Sequence, residues 1–135
     1  MTCFYAILDP VEGRLRYANA GHDLPYLWHD GQRSSDLRAR GMPLGLMPRM
    51  SYEENETSLE EGESILYYSD GLVEAHNPHR EMFGFPRLRE LVDVYGSDGG
   101  SLVERLLNEL SGFVGADLEQ EDDITLVVLQ RLRTT

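Results

Sequence analysis

Two short runs of this sequence are apolar at nearly every position, and each is long enough for one strand. They are "SILYYS" at residues 64–69 and "ITLVVL" at residues 124–129. Apolar runs of this length are typical of buried strands, and the β-branched residues of the second run predict a strand covered on both sides. A chain with such strands needs further layers of structure to cover them.

An Asp-Gly pair, Asp70-Gly71, ends the first run. Asp-Gly is a common turn signal, because glycine accepts positive φ angles and aspartate hydrogen-bonds to nearby backbone. The same pair occurs at residues 30–31 and 98–99, so the dipeptide by itself indicates only a turn. A functional interpretation of Asp70 needs support from elsewhere in the sequence.

That support comes from the second apolar run, which begins directly after Asp122-Asp123. If the two strands lie antiparallel in one sheet, Asp70 and Asp122 reach the same sheet edge. Two carboxylates held close repel each other unless they share a proton or a cation. Their oxygens are hard ligands that suit Mg²⁺ or Mn²⁺ better than zinc. The sequence therefore predicts that these two carboxyl groups lie roughly 4–6 Å apart, within reach of one shared cation.

Further strands are predicted in the N-terminal half of the chain. Residues that favour strands mark four of them, at residues 2–9, 13–20, 25–29 and 51–59. Hairpins are predicted at residues 9–13, at residues 30–31 and at residues 60–62. The acidic residues between positions 51 and 66 are interpreted as the solvated face of a strand and turn.

Two helices are predicted in the C-terminal half, because apolar residues recur there at helical spacing over residues 85–95 and 102–114. Ser101, with Glu104 three positions later, resembles a capping box that starts the second helix. Both apolar stripes are interpreted as core-facing. Because the sequence has no internal repeat and no linker, we expect one α+β domain over residues 1–135.

The composition is that of one folded domain, with 135 residues of which 41% are hydrophobic. A formal net charge of −12 argues against nucleic acid or an anionic membrane as a partner, since both require a basic surface. The single cysteine, Cys3, excludes an internal disulfide. The sequence has neither a signal peptide nor an apolar run of about 18 residues, and we expect a cytoplasmic protein.

Other kinds of catalytic site have less support in the sequence. A zinc site would need more soft ligands than Cys3 and the 4 scattered histidines provide. Nothing marks Cys3 as an activated nucleophile, and no glycine-rich phosphate-binding loop occurs. His22, in "NAGH", is interpreted as a hydrogen-bonded structural histidine at the end of a strand, and a catalytic role is the less favoured alternative.

Several longer motifs carry a family resemblance. They are "FYAILDPVEGRLRYANAGH", "GMPLGL", "LEEGESILYYSDGLVEAHN", "EMFGFPRL" and "EDDITLVVL". Together and in this order they resemble the bacterial SpoIIE/RsbU-type branch of the metal-dependent serine/threonine phosphatases, the PPM family related to the type 2C enzymes. The resemblance runs from about residue 4 to about residue 129 and corresponds to the C-terminal part of the catalytic domain.

The resemblance implies a layered α/β sandwich of mainly antiparallel sheets with flanking helices and a dinuclear Mg²⁺ or Mn²⁺ site. In such enzymes a metal-activated water attacks the phosphoester, so the protein supplies no nucleophile of its own. Asp70 and Asp122 match metal ligands of the family, whereas Asp123 and Gly71 match supporting positions. The implied substrate is a phosphorylated anti-sigma-factor antagonist protein.

One part of the family pattern lies outside this sequence. Family members carry, upstream of the matched region, a "GGD" motif and a "DxSGKG"-like motif that supplies the carboxylate bridging both metals, whereas this chain begins at Met1. We therefore expect a fragment or a truncated product that is weakly active or inactive by itself. We also expect homodimers, because exposed strand edges and apolar surface favour self-pairing. Two hypotheses stay open, namely a phosphatase domain and a non-catalytic interaction module.

Overall fold

The computed structural model describes residues 1–115 and 123–134, which form two antiparallel sheets. The first sheet contains β1 (Cys3–Asp9), β2 (Arg14–Ala20) and β5 (Glu54–Ser58), in the order β1-β2-β5. The second sheet contains β3 (Tyr26–Trp28), β4 (Ser35–Asp36), β6 (Ser64–Tyr68) and β7 (Leu126–Gln130), in the order β4-β3-β6-β7. The helices are α1 (Asp70–Val73), α2 (Phe85–Tyr95) and α3 (Gly99–Val114).

Two hydrophobic cores give the molecule its layers. One core lies between the sheets and contains Leu15 and Tyr17 of β2 together with Ile65 of β6. The other lies between the second sheet and the helices, and it contains Leu66 of β6 and Leu106 of α3. Because successive side chains of a strand point to opposite faces, β6 contributes to both cores. The apolar run at residues 64–69 is therefore a buried strand, as predicted.

The predicted hairpins are confirmed at two of the three positions. β1 and β2 pair in register from Cys3↔Ala20 to Asp9↔Arg14, and β3 pairs with β4 across the turn at residues 30–31. The hairpin predicted at residues 60–62 is wrong, because β5 pairs with β2 and β6 pairs with β3 and β7. β5 has one exposed and one half-buried face, which fits the outer sheet, whereas β6 needs cover on both faces.

The predicted helices are both present, but the second starts earlier than its sequence pattern indicates. Asp98 caps α3, and its carboxylate accepts hydrogen bonds from the backbone N–H groups of Gly100 at 3.1 Å and Ser101 at 3.5 Å. The capping box predicted at Ser101 is wrong, because the Ser101 hydroxyl donates to Asp98 instead, at 3.1 Å. An aspartate is as good a cap as a serine, and here the Asp-Gly pair begins a helix.

The last strand, β7, is covered less completely than its sequence predicts. Leu126 and Val128 pack on the helical core, and Leu129 packs on the core between the sheets. Val127 has the same orientation as Leu129 along the strand, yet more than half of its surface is exposed. β7 lies at one edge of its sheet, next to β6. None of the helices in the described ranges has the length and apolar character needed to cross a membrane.

The helical core generates a stability prediction that uses two adjacent leucines. Leu106 of α3 is fully buried, whereas 49% of the surface of its neighbour Leu107 is exposed. We expect Leu106→Ala to lower the free energy of unfolding by about 2–5 kcal/mol, since it removes buried methyl groups and leaves a cavity. The control Leu107→Ala should change it by less than about 1 kcal/mol. Urea denaturation followed by circular dichroism measures both, and equal losses would contradict the assignment of the buried face.

Candidate functional site

The end of β6 and the segment that precedes β7 are joined by Ser69. The Ser69 backbone N–H donates to the carbonyl oxygen of Thr125 at 3.0 Å. Its hydroxyl accepts from the Thr125 N–H at 2.9 Å and donates to the carbonyl oxygen of Asp123 at 3.3 Å. Since Tyr68 pairs with Leu126 in an antiparallel register, the two apolar runs do lie antiparallel in one sheet, as predicted.

Asp70 lies at this sheet edge, where it is the first residue of the single-turn helix α1. Its carboxylate is exposed, while Gly71, Leu72 and Val73 behind it are buried and anchor the turn. The Asp70 carbonyl oxygen accepts the backbone N–H of Glu74 at 3.0 Å. Gly71 thus occupies a buried position in the backbone next to the acidic side chain.

Of the two acidic residues predicted to lie near Asp70, the structure describes Asp123 but not Asp122. Asp122 lies outside the described residues, so its predicted approach to Asp70 stays a prediction. Asp123 is described and exposed, and its backbone carbonyl is held by the Ser69 hydroxyl. Asp122 immediately precedes Asp123 in the sequence.

His22 has the structural role that its sequence context indicates. Its backbone N–H donates to the side-chain oxygen of Asn19 at 2.7 Å, and the Asn19 amide donates back to the His22 carbonyl at 2.9 Å. Its ring Nδ1 lies 3.0 Å from the carbonyl oxygen of Asp23 and, as the protonated nitrogen, donates to it. These bonds fix the turn by which the chain passes from β2 in one sheet to β3 in the other.

Asp23, next to His22, is a candidate residue that the sequence analysis did not single out. Burial raises the pKa of its carboxyl group, the neighbouring His22 lowers that pKa, and the negative charge of Asp70 raises it further. Its Oδ2 atom is buried and has no hydrogen-bond partner among the described residues. Asp23 and Asp70 therefore share one electrostatic environment, although they come from different parts of the chain.

The tyrosine beneath these acids acts as a neutral hydrogen-bond donor. The Tyr68 hydroxyl donates to the carbonyl oxygen of Leu24 at 2.6 Å. Burial raises the pKa of Tyr68 well above its ordinary value, and the nearby Tyr26 and Asp23 raise it further. Tyr68 consequently keeps its proton at physiological pH and ties the turn that carries Asp23 to the end of β6.

The donor atoms at this edge fit a hard divalent cation. They are carboxylate oxygens, which Mg²⁺ and Mn²⁺ prefer. Asp23, whose buried Oδ2 has no hydrogen-bond partner among the described residues, interacts electrostatically with Asp70. The described residues contain no cluster of three or more His, Cys, Asp or Glu side chains placed to hold a metal. Asp122, the other predicted ligand, lies outside those residues.

The family comparison agrees with this architecture. The sequence model for Stage II sporulation protein E (SpoIIE) matches residues 1–132. The chain belongs to the SpoIIE family. The phosphoserine phosphatase RsbU of Bacillus subtilis is 29% identical over 136 residues, which cover 97% of this chain and 39% of RsbU.

Solved structures show the same fold. The phosphatase domain of SpoIIE from Bacillus subtilis, presoaked with manganese, aligns with a TM-score of 0.73 and 21% identity, over 100% of this chain and 58% of that one. The SiaA-PP2C domain of Pseudomonas aeruginosa aligns with a TM-score of 0.80 and 20% identity, over 96% of this chain and 51% of that one. The predicted α+β layered sandwich of type 2C phosphatases is thereby confirmed.

The SpoIIE-family chain matches only part of each relative. It spans 39% of the curated relative RsbU and about half of the solved phosphatase domains. The activity, substrates and partners of the longer proteins can therefore only be proposed for this chain.

Ser69 generates a prediction about the connection between β6 and β7. We expect Ser69→Ala to lower the free energy of unfolding by about 1–2 kcal/mol, because it removes two side-chain hydrogen bonds. The exposed Ser51 provides a control, and Ser51→Ala should leave stability unchanged. Thermal unfolding measures both, and hydrogen exchange at the Thr125 N–H should become faster in Ser69→Ala only. Unchanged exchange at Thr125 would contradict the role assigned to the Ser69 hydroxyl.

Asp23 generates a prediction with a defined pH dependence. A raised pKa means that the folded state holds the proton more tightly than the unfolded state, so ionisation of Asp23 destabilises the fold as pH rises through its titration range. We expect Asp23→Asn to raise the melting temperature at neutral pH, and the gain to disappear at acidic pH, where the carboxyl group is protonated in both states. Asp30→Asn is the control, since the ion pair of Asp30 with Arg133 is exposed and contributes little to stability. A loss of stability at neutral pH would contradict the prediction.

Proposed function

We propose that this chain is the C-terminal part of a metal-dependent protein phosphatase domain that hydrolyses phosphoserine or phosphothreonine in the cytoplasm. The observation that carries the proposal is the pairing of β6 with β7 through Ser69, because it brings Asp70 and the backbone of Asp123 to one sheet edge. Membership of the SpoIIE family and similarity to the phosphoserine phosphatase RsbU support the same chemistry.

In this proposal the metal ligands are Asp70 and Asp122, and Asp123 and Gly71 have supporting roles. A bound pair of Mg²⁺ or Mn²⁺ ions would lower the pKa of a water molecule, orient the phosphate and offset charge in the transition state. The chain's own contribution is to fix the carboxylates. The buried residues of α1 hold Asp70 in place, and Ser69 holds the backbone of Asp123 beside it.

The surroundings of Asp70 also favour the binding of a cation. Asp23 places a second negative charge close by, with one oxygen buried and without a partner in the described residues. Like charges in such proximity are destabilising unless a cation or proton compensates them. Two neighbouring carboxylates lower the stability of the fold, and such a cost is common at sites that bind a ligand.

The proposed substrate is a phosphorylated anti-sigma-factor antagonist protein. The support is the resemblance to the SpoIIE/RsbU branch and the similarity to RsbU and RsbP, two phosphoserine phosphatases of Bacillus subtilis. A substrate of this kind is a folded protein, so surface contacts beyond the phosphate would contribute to its recognition.

The alternative is a non-catalytic interaction module that forms homodimers. The first sheet has open edges in the described structure, and Tyr5 and Ile7 on its outermost strand β1 are exposed. Exposed strand edges favour pairing with a second chain. Sedimentation of the chain at high micromolar concentration tests this alternative, and a monomer would count against it.

The phosphatase proposal predicts a difference between two polypeptides. Two carboxylates hold a hydrated cation only loosely, so the 135-residue chain should bind Mn²⁺ weakly and release little phosphate from a phosphoserine peptide or p-nitrophenyl phosphate. A longer polypeptide, in which a segment with the "DxSGKG"-like motif precedes the chain, should become a Mn²⁺-dependent phosphatase. Phosphate release with and without Mn²⁺ measures both.

Substitutions in the longer polypeptide distinguish the loss of a metal-binding side chain from unfolding of the protein. Asp70→Asn and Asp122→Asn should each abolish turnover while leaving the melting temperature of the metal-free protein close to its original value. Asp30→Asn should retain activity. Strong Mn²⁺-dependent activity of the short chain would contradict the ligand assignment, and a folded but inactive longer polypeptide would favour the interaction module.

A further inference from the structure

The loop between β4 and β5 carries four exposed apolar side chains. Met42, Leu44, Leu46 and Met47 are between 40% and 59% exposed, although they fall within six consecutive positions. We call these four residues the Met/Leu surface. Exposed apolar residues are normal when scattered, but a contiguous group marks an interaction site. Methionine suits such a surface, because its flexible side chain adapts to partners of different shape.

The loop is held firmly against the turn that leads to Asp23. A Cβ atom placed on Gly21 would lie 2.7 Å from the Pro43 ring, and one placed on Gly41 would collide with the carbonyl oxygen of Asn19. The Leu44 backbone N–H also donates to the carbonyl oxygen of Met1 at 2.7 Å. The Met/Leu surface is therefore attached to the same turn that carries His22 and Asp23, and the Asp23 carboxyl group interacts electrostatically with Asp70.

The loop carries basic residues in a chain that is acidic overall. Residues 37–52 contain three arginines and no acidic residue, whereas the whole chain has a net charge of −12. Arg38 forms an ion pair with Asp36 at 3.0 Å, and Arg40 lies 3.9 Å from Glu53 while remaining almost fully exposed. The Arg49 side chain forms no hydrogen bond or ion pair with any described residue.

The backbone conformation of Arg49 supports a binding role for its side chain. Arg49 has a φ of 59°, a left-handed conformation that costs a non-glycine residue of order 1 kcal/mol or more. A glycine would be easier to accommodate here, so the strained turn presents a cation to solvent at a cost in stability. An unpaired arginine next to apolar side chains is complementary to a phosphorylated segment with apolar neighbours.

We infer that the Met/Leu surface, together with Arg40 and Arg49, is the docking surface for the phosphorylated segment of a protein substrate. The apolar side chains would contact apolar residues that flank the phosphorylated residue, and the arginines would attract its dianionic phosphate toward the edge that carries Asp70. The inference rests on the proposed phosphatase function and specifies how that site selects a protein over a small phosphoester.

The test is binding of a fluorescein-labelled peptide in which phosphoserine is flanked on each side by two leucines. Fluorescence anisotropy with the 135-residue chain, without added metal, should show saturable binding. The same peptide without phosphate, and a phosphoserine peptide flanked by glycines, should each bind at least about threefold more weakly. A lack of saturable binding of the first peptide up to about 1 mM would overturn the inference.

Variants with matched controls locate the binding surface. Leu46→Ser combined with Met47→Ser should weaken binding of the leucine-flanked phosphopeptide about tenfold, because two apolar contacts are lost. Val94→Ser alters an exposed apolar residue of α2 and should leave the affinity unchanged. Equal losses in the loop variant and in Val94→Ser, or no loss in either, would overturn the inference.

The charge contribution is tested with the other left-handed arginine of the described residues as a control. Arg49→Gln should weaken binding of the phosphopeptide but not of the unphosphorylated peptide, and Arg49→Lys should restore most of the affinity. Arg80, with a φ of 63°, lies outside the proposed surface, and Arg80→Gln should bind normally. Circular dichroism confirms that each variant is folded, and equal effects of Arg49→Gln and Arg80→Gln would contradict the assignment.

Two further measurements separate peptide docking from catalysis and from self-association. Hydrolysis of p-nitrophenyl phosphate by the longer polypeptide reports the proposed chemistry, because this small ester has no flanking residues that could contact the Met/Leu surface. If that hydrolysis is absent while peptide binding follows the variants, the phosphatase proposal fails and the docking surface stands. If the loop substitutions abolish self-association in sedimentation but leave peptide binding intact, the surface joins two copies of the chain and the docking inference is wrong.

Discussion

The structure depends on β6, because this strand belongs to both hydrophobic cores. Ile65 lies in the core between the sheets, while Leu66 and Tyr68 lie in the core beneath the helices. β3 and β7 pair with β6 on its two sides, so its position fixes both neighbours. Asp70 follows Ser69 directly after the end of this strand. The location of the acidic side chain is thus determined by a strand that is buried in both cores.

The local parts of the fold could be predicted from the sequence, whereas one long-range pairing could not. Helical spacing identifies α2, and the length of the connection identifies the β1–β2 hairpin. Alternation in β5 correctly indicates one solvated face, where Glu54 and Glu56 form ion pairs with Arg16 and Arg14. Alternation describes the two faces of a strand, but it does not specify the strand that pairs with it. The sequence therefore predicts a β5–β6 hairpin, whereas the structure pairs β5 with β2.

The candidate site likewise has parts that the sequence predicts and parts that it does not. Asp70 and Asp122 could be singled out because each flanks an apolar strand, and the predicted antiparallel arrangement of those strands is observed. Asp23 could not be found in this way, because its proximity to Asp70 arises from a turn between the two sheets. The nearest signal in the sequence is the "NAGH" motif that precedes it, and that motif points to His22. The hydroxyl of Ser69 was missed for a similar reason, since its partners are more than 50 positions away in the chain.

The bonds made by Ser69 have a consequence for the order in which the molecule acquires structure. Thr125 is 56 positions from Ser69, and closing so long a loop is entropically costly and slow compared with forming a hairpin or a helix. The β1–β2 hairpin and the helices can form from local contacts before this closure. We therefore expect the acidic edge to be completed late in folding, when β7 docks against β6, so an incompletely folded chain would lack the edge that carries Asp70 and Asp123.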